Sequence, residues 1–302
     1  VSSSTLEART SSNSARTVPS PGNPVTSPSL QLQDLQLAGN PFYSYLFGDL
    51  SMSPNQMTQL LDSLSKGSLL ACSDGSYDPI TNTAAYGMVF GTEQTPLLRS
   101  SGPCPGHPDH RSAIRSELTG LAASTFLLLS ICKSGQLQNG SVTLYNDSTK
   151  AQKLINHPGR KFKRFLVDDY DLITEIQSNI VTIRTYTAFN LVWVKGHYKG
   201  KYRNIEHDLN DEAHCLAVSG LLSHGHSSSD VPPPTSLVEL KRGFTLTSKW
   251  KTVVLEAAHS APLRQTIRKK YEWSDNQFDG VDWRALNSCL NKQNSLKMNH
   301  FE

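Results

Sequence analysis

The fold of this 302-residue chain is decided by residues 68–91, which read SLLACSDGSYDPITNTAAYGMVFG. Within this stretch, LLACSDGSY predicts a buried strand that ends in a turn, and AAYGMVFG predicts a second strand. Residues 95–102, TPLLRSSG, predict a third strand. Three successive strands with short connections predict an antiparallel meander at the start of the domain.

The segments after the meander alternate between helix and strand patterns. Apolar residues recur at helical spacing from Arg115 to Cys132, and β-branched residues mark strands in VTLYND (142–147) and NLVWVKGH (190–197). Further helices are predicted from Thr149 to about His157, from about Asp168 to Asn179 and from Asp208 to Gly220, with IVTIRTY (180–186) as the approach to the last strand. The order β-β-β-α-β-α-α-β-α predicts an α/β fold, with a mixed five-stranded sheet flanked by helices.

Composition divides the chain into five parts. Residues 1–40 are predicted to be a disordered leader, because 17 of the first 30 residues are Ser, Thr or Pro and can bury little apolar surface. A short helical lead-in at 41–67, with a helix from Ser53 to Leu64, precedes the main domain at 68–222. A Pro/Ser-rich linker at 223–236 leads to a basic tail at 237–302, in which RQTIRKKYEW (264–273) favours an amphipathic helix over a nucleic-acid contact.

Composition and charge also restrict the class of protein. No apolar run reaches the roughly 18 residues that a membrane span needs, so no membrane is expected. Five cysteines without a CxxC pair argue against a disulfide scaffold and favour a reducing, intracellular compartment. The net charge is only +3, but the positive charge is clustered, which suits a polyanionic partner. The clusters are Arg160, Lys161, Lys163 and Arg164, then Lys195, Lys199, Lys201 and Arg203, and finally Arg264, Arg268, Lys269 and Lys270.

Three carboxylates stand where predicted elements end or begin. Asp74 follows the first strand, Glu117 lies early in the first long helix, and Asp147 closes VTLYND. Strand ends and the first turn of a neighbouring helix converge on one edge of a mixed sheet, where these groups would repel each other unless a divalent cation neutralises them. Oxygen ligands suit Mg²⁺ or Mn²⁺, and a pair of such ions can hold a phosphodiester in line for hydrolysis. A separate acidic run, Asp168, Asp169 and Asp171, is typical of favourable charges at a helix N-terminus.

Four motifs occur in the order of one known family: SDGSYDPITNTAAYGMVF, RSELTGLAA, VTLYNDSTKA and VWVKGH. On these motifs, residues 71–217 resemble ribonuclease H type 1, particularly the domains carried by reverse transcriptases of retrotransposons. The resemblance covers about half of the chain. It implies a ribonuclease H-like fold and a metal-dependent endonuclease that hydrolyses the RNA strand of RNA–DNA hybrids. A reverse transcriptase domain upstream in the same polyprotein is a further partner that it suggests.

The resemblance also implies roles for individual residues. Asp74 would bridge two Mg²⁺ ions, and Glu117 and Asp147 would join it at the ion on the leaving-group side. His197, in the KGH motif, would assist product departure or proton transfer. Ser76 and Asn146 would lie beside the backbone of the hybrid. The basic residues expected to bind the hybrid are Arg160, Lys161, Lys163, Arg164, Lys199 and Lys201.

The chain departs from the family in its last helix. The family has an Asp in the pattern NxxADxLA, whereas LNDEAHCLA at 209–217 places His214 at that position. Asp211, three residues earlier on nearly the same helix face, and Asp208 are the alternative ligands for the ion on the nucleophile side. Since imidazole is a better ligand for Mn²⁺ than for Mg²⁺, activity that is weak in Mg²⁺ and rises in Mn²⁺ is expected.

Two other functions stay open. The departure at His214 also fits a catalytically decayed module of the same fold that binds nucleic acid without cutting it. A DNA transposase or integrase core shares the fold as well. The three-strand meander followed by SELTG, together with the KGH motif, argues against the transposase or integrase.

Overall fold

A computed structural model describes residues 41–47, 50, 52–106, 108–156, 167–224, 262 and 264–282. Four groups of predictions therefore lie outside the described residues. They concern the leader at 1–40, most of the linker, the greater part of the tail, and the basic residues Arg160, Lys161, Lys163 and Arg164.

The described elements follow the predicted order, with two helices before the first strand. They are α1 (Pro41–Phe47), α2 (Pro54–Ser65), β1 (Leu69–Asp78), β2 (Thr83–Gly91), β3 (Pro96–Pro103), α3 (Ala113–Ser134), β4 (Ser141–Asn146), α4 (Thr149–Asn156), α5 (Tyr170–Ile183), β5 (Ala188–Trp193), α6 (Ile205–His224), α7 (264–271) and α8 (Asp275–Asp279). The strands form one sheet in the order β3-β2-β1-β4-β5. β1, β2 and β3 pair antiparallel, whereas β4 and β5 are added parallel to β1. This topology confirms the predicted ribonuclease H-like α/β fold.

The segment 180–186 is the main difference from the predicted elements. It was expected to lead extended into a strand, but α5 continues to Ile183 and β5 begins at Ala188. The reason lies in the spacing of the isoleucines, because Ile173, Ile176, Ile180 and Ile183 recur every three or four residues and are all buried. Burial of this helical stripe outweighs the β preference of the branched side chains.

The sheet separates the helices into two layers. On one face, α3 packs on β1 and β2, and α5 packs on α3; on the other face, α6 packs across β1, β2 and β3. Since side chains alternate along a strand, Cys72 and Asp74 point towards α6, while Ser73 and Gly75 point towards α3. A Cβ at Gly75 would overlap the backbone of Glu117. The glycine therefore lets the first turn of α3 approach β1 directly beside Asp74.

Helix α3 is the central element of the core. By length and composition it could cross a membrane, and it is the one such helix among the described residues. Of its most apolar 18 residues, however, 83% are buried inside the domain, which is the setting of a core helix.

Helices α1 and α2 pack into the same core as the sheet. Phe42, Leu46, Leu60 and Leu64 are fully buried in one cluster with residues of α3 and β2. α2 begins as predicted, with Pro54 at its first position and Ser53 as the N-cap in a capping box. The predicted lead-in thus contributes apolar side chains to the domain.

The acidic run lies at the N-terminus of α5 as predicted, but two of its residues have a further role. Asp169 and Asp171 are buried and bond the guanidinium of Arg115, which is itself 1% exposed, at 2.8–3.0 Å. The Nε of Arg115 also donates to the carbonyl of Pro105 at 2.7 Å. Because both carboxylates and the guanidinium are out of water, this group ties α3 to α5 and is more than a favourable helix terminus.

In the tail, α7 and α8 are held together by ion pairs. Arg264 bonds Asp275 and Asp279, and Arg268 bonds Asp275. The predicted helix in RQTIRKKYEW is present, and two of its four cations are paired within the tail itself.

Candidate metal centre

Three carboxylates meet beside the central strand β1, where its pairing with β4 ends. Asp74 lies inside β1, which continues to Asp78 and so does not end before Asp74 as predicted, whereas Glu117 comes from the first turns of α3 and Asp147 follows the last residue of β4. One ligand oxygen from each lies within 4.8 Å of the other two, and this is the one group of its kind among the described residues. The predicted convergence is therefore present, with Asp74 only 3% exposed.

Two of the carboxylates, Asp74 and Glu117, are oriented by hydrogen bonds. The backbone N–H of Gly75 donates to Oδ1 of Asp74 at 2.8 Å, and the amide of Asn146 donates to Oε2 of Glu117 at 3.1 Å. The same amide nitrogen donates to the carbonyl of Ser73 at 3.1 Å. Asn146 is fully buried and positions Glu117 against β1, while its contact with a hybrid backbone stays a prediction.

The electrostatics of the cluster favour a cation. Burial, followed by repulsion from Asp74 and Asp147, raises the pKa of Glu117 well above its usual range. Burial and the charge of Asp74 also raise the pKa of Asp147, although a hydrogen bond from Asn210 and the nearby His197 and His214 lower it. A hard divalent cation would relieve this repulsion, and a set of carboxylate oxygens is the donor type that Mg²⁺ and Mn²⁺ take.

His214 lies against the cluster, and the two alternative carboxylates do not. Its Nδ1 is 2.7 Å from Oδ2 of Asp74. Asp211 and Asp208 instead bond Arg203, at 2.7 and 2.8 Å, and their side chains are 42% and 60% exposed. The position taken by an Asp in the family is therefore occupied spatially by an imidazole, and the carboxylates earlier on α6 face a surface arginine.

The loop after β5 touches the cluster through Gly196 and His197. A Cβ at Gly196 would overlap the carboxylate of Asp147, so the backbone passes directly over this group. His197 has a φ of +48° and its ring contacts that of His214 edge-on, with 4.6 Å between centroids. The loop geometry thus places two imidazoles side by side at the margin of the carboxylates.

The remaining predicted residues lie around this centre. Ser76 is two positions beyond Asp74 on the same face of β1 and is partly exposed, as a contact with a substrate would require. Lys199 and Lys201 are exposed in the loop after His197.

Two residues of the site were not predicted. Asn210 is 2% exposed and bonds Asp147 through its side chain, and Trp193 donates its indole N–H to the backbone carbonyl of Asp147 at 2.9 Å. Asn210 fits the motif of the last helix, but its contact with Asp147 depends on how α6 crosses the sheet. Trp193 closes the last strand and could be placed only once β4 and β5 were known to pair.

Comparison with solved structures finds a ribonuclease H1 from the halophilic archaeon Halobacterium salinarum NRC-1 among similar chains. The identity is 16% and the TM-score 0.35, and the match covers 51% of this chain and 98% of that chain. A likeness at this TM-score supports no conclusion about this chain. No protein-family model matches the chain, and no curated protein matches it.

Proposed function

We propose that this protein is a metal-dependent endonuclease that hydrolyses the RNA strand of RNA–DNA hybrids. The observation that carries the proposal is the cluster of Asp74, Glu117 and Asp147 beside β1, with ligand oxygens within 4.8 Å of one another. The order of the four sequence motifs supports a hybrid substrate and an origin in a retrotransposon reverse transcriptase polyprotein.

The carboxylates would hold the metal, with Asp74 shared between two ions. A bound Mg²⁺ or Mn²⁺ supplies Lewis acidity and lowers the pKa of a coordinated water. Asn146 keeps Glu117 turned towards Asp74 through its two hydrogen bonds. His197 stands at the margin of the cluster, where its imidazole can transfer a proton to or from a departing group.

The second ion depends on His214. Its Nδ1 lies 2.7 Å from Oδ2 of Asp74, so the imidazole is the side chain available as a further ligand beside the shared carboxylate. Imidazole suits Mn²⁺ better than Mg²⁺. We therefore expect turnover that is weak in Mg²⁺ and higher in Mn²⁺.

A second candidate is a module that binds hybrids without cutting them. The observation that favours it is the direct hydrogen bond between His214 and Asp74, which occupies an oxygen of the shared carboxylate. The two candidates differ in turnover and agree in affinity for the hybrid, so a cleavage assay separates them.

The test is cleavage of an RNA–DNA hybrid, single-stranded RNA and duplex DNA of one sequence, each with Mg²⁺ and with Mn²⁺. We expect the RNA of the hybrid to be cut and the other two substrates to stay largely intact. Recognition would rest on the 2′-OH together with the groove shape of a duplex, and neither single-stranded RNA nor duplex DNA offers both. Equal cleavage of duplex DNA would refute the substrate assignment. Binding of the hybrid without cleavage in either metal would favour the non-catalytic module.

Variants of α6 test the second ion. His214→Asp restores a carboxylate at the family position and should raise turnover in Mg²⁺. Asp211→Asn is the matched control one turn away, and it should change turnover little because Asp211 bonds Arg203. Loss of activity in Asp211→Asn together with full activity in His214→Ala would show that Asp211 is the ligand.

A further inference from the structure

The last residue of β5 and the segment that follows it form an exposed surface beside the carboxylate cluster. We call residues 193–203 the aromatic loop. It begins at Trp193, whose indole N–H donates to the backbone carbonyl of Asp147 at 2.9 Å. This bond fixes the position of the ring next to the backbone of Asp147, yet the residue remains 48% exposed. The aromatic loop therefore starts with a large ring that is both held in place and open to solvent.

Two tyrosines further along the aromatic loop lie next to lysines. The ring of Tyr198 stacks on His207, with 4.1 Å between centroids and 23° between planes, and Nζ of Lys195 is 6.0 Å from its centre. Tyr202 is 77% exposed, and Nζ of Lys201 is 5.8 Å from its ring centre. Aromatic rings and cations thus alternate along the loop.

The aromatic loop carries four basic side chains, of which Arg203 is the one paired with acidic side chains among the described residues. Arg203 bonds Asp208 and Asp211 of α6, which fastens the end of the loop to that helix. Among the ion pairs of the described residues, none involves Lys195, Lys199 or Lys201, and all three are exposed. The loop therefore presents three positive charges to solvent next to the cluster that would bind the scissile phosphate.

Rings interleaved with lysines suit one kind of partner in particular. Unpaired bases offer π faces that stack on aromatic side chains, and their phosphates pair with lysines. The bases inside a hybrid duplex are stacked on each other and offer no such faces. A single exposed aromatic residue would need no explanation, but two of them with three lysines beside a phosphodiester-binding cluster indicate a strand that has left the duplex.

Resting on the proposed function, we propose that the aromatic loop binds unpaired nucleotides that continue from the hybrid. Trp193 and Tyr202 stack on bases, and Lys199 and Lys201 contact the adjoining phosphates. The substrate that fits this surface is a hybrid with a single-stranded extension next to the duplex. Either the RNA or the DNA strand can supply the extension, because the recognised chemistry, a base and a phosphate, is common to both.

The test is a binding measurement on the full chain, by fluorescence anisotropy in EDTA so that no strand is cut. The probes are a blunt hybrid and the same hybrid extended by a short single strand of RNA or of DNA. We expect the wild-type protein to bind one extended hybrid at least about fivefold more tightly than the blunt one, since stacking of even one base provides about this much. Comparison of the two extensions identifies the strand.

Variants at two tyrosines make the test specific. Tyr202→Ala should reduce the ratio of extended to blunt affinity towards one, and Tyr202→Phe should retain it, because the ring and not the hydroxyl stacks. Tyr271→Ala is the matched control, since Tyr271 is 54% exposed and also has a lysine, Lys270, 5.2 Å from its ring centre. Equal affinities of the wild type for all three probes, or equal losses in Tyr202→Ala and Tyr271→Ala, would overturn the inference.

The outcome is separable from that of the proposed function. A protein that cleaves hybrids but shows no effect of the extension retains the function and loses the inference. A protein that cleaves nothing but gains affinity from the extension through Tyr202 retains the surface and loses the catalytic assignment.

Discussion

Replacing Asp74 with Asn tests the metal centre through stability as well as through activity. The substitution keeps the shape of the side chain and removes one of three charges that the fold brings together. In the absence of metal, the variant should unfold at a higher temperature than the wild type, because repulsion within the cluster falls. With Mg²⁺ present the order should reverse, since the wild type gains binding energy that the variant cannot.

The size of the effect follows from the geometry of the cluster. Two unit charges 4.8 Å apart repel by about 3.5 kcal/mol at an effective dielectric constant of about 20. Part of this repulsion is already relieved, because the raised pKa of Glu117 favours its neutral form. The variant also weakens the bond of Asp74 with His214, which costs about 1 kcal/mol. A net gain of about 1–2 kcal/mol remains, which corresponds to roughly 2–8 °C in a domain of this size.

The assay is thermal unfolding at neutral pH, in EDTA and in a titration of Mg²⁺ and Mn²⁺, with hybrid cleavage measured on the same samples. Asp62→Asn is the control, because Asp62 is 55% exposed in an ion pair with Lys66 on α2 and should change the melting temperature little. The reasoning is refuted if Asp74→Asn melts below the wild type in EDTA and still gains as much stability from metal. Full cleavage by the variant would refute the site itself.

Three further predictions concern the fold and its titration. Arg115→Met should lower the free energy of unfolding by about 3–5 kcal/mol in denaturant titrations, because it leaves the buried Asp169 and Asp171 without their cation. Adding Asp171→Asn should recover part of the lost stability, and a double variant no more stable than Arg115→Met would contradict this account. Deleting residues 1–40 should leave the melting temperature unchanged. Deleting residues 1–67 should unfold the domain, because this deletion removes buried side chains of α1 and α2. Equal effects of the two deletions would contradict this role of α1 and α2. Burial raises the pKa of Asp169 to about 6 in the folded protein, so the folded protein keeps this proton to a higher pH than the unfolded chain does. The metal-free protein should therefore lose stability as the pH rises from the ordinary carboxyl range through about 6. The melting temperature measured across this range checks the sign.

The sequence alone determined the order of the elements and the three carboxylates. Alternating and helical patterns in residues 68–220 predicted five strands and their helices, because side-chain periodicity reports directly which face of an element is buried. Asp74, Glu117 and Asp147 could be selected since the sequence pattern places each at a predicted strand end or in the first turns of a helix, although β1 itself continues past Asp74 to Asp78. These are local properties, and local sequence carries them.

The way in which distant residues serve the site follows from how the strands and helices pack. Asn146 resembles a substrate contact in the sequence, and pairing of β4 with β1 buries it against Ser73 and Glu117. The choice between His214 and Asp211 depends on the direction in which α6 crosses the sheet, which turns His214 towards Asp74 and Asp211 towards Arg203. Likewise, Asp169 and Asp171 became partners of Arg115 only when α3 and α5 packed together. In each case the deciding contact joins residues that are far apart in the chain, and a periodic pattern within one element contains no information about such a contact.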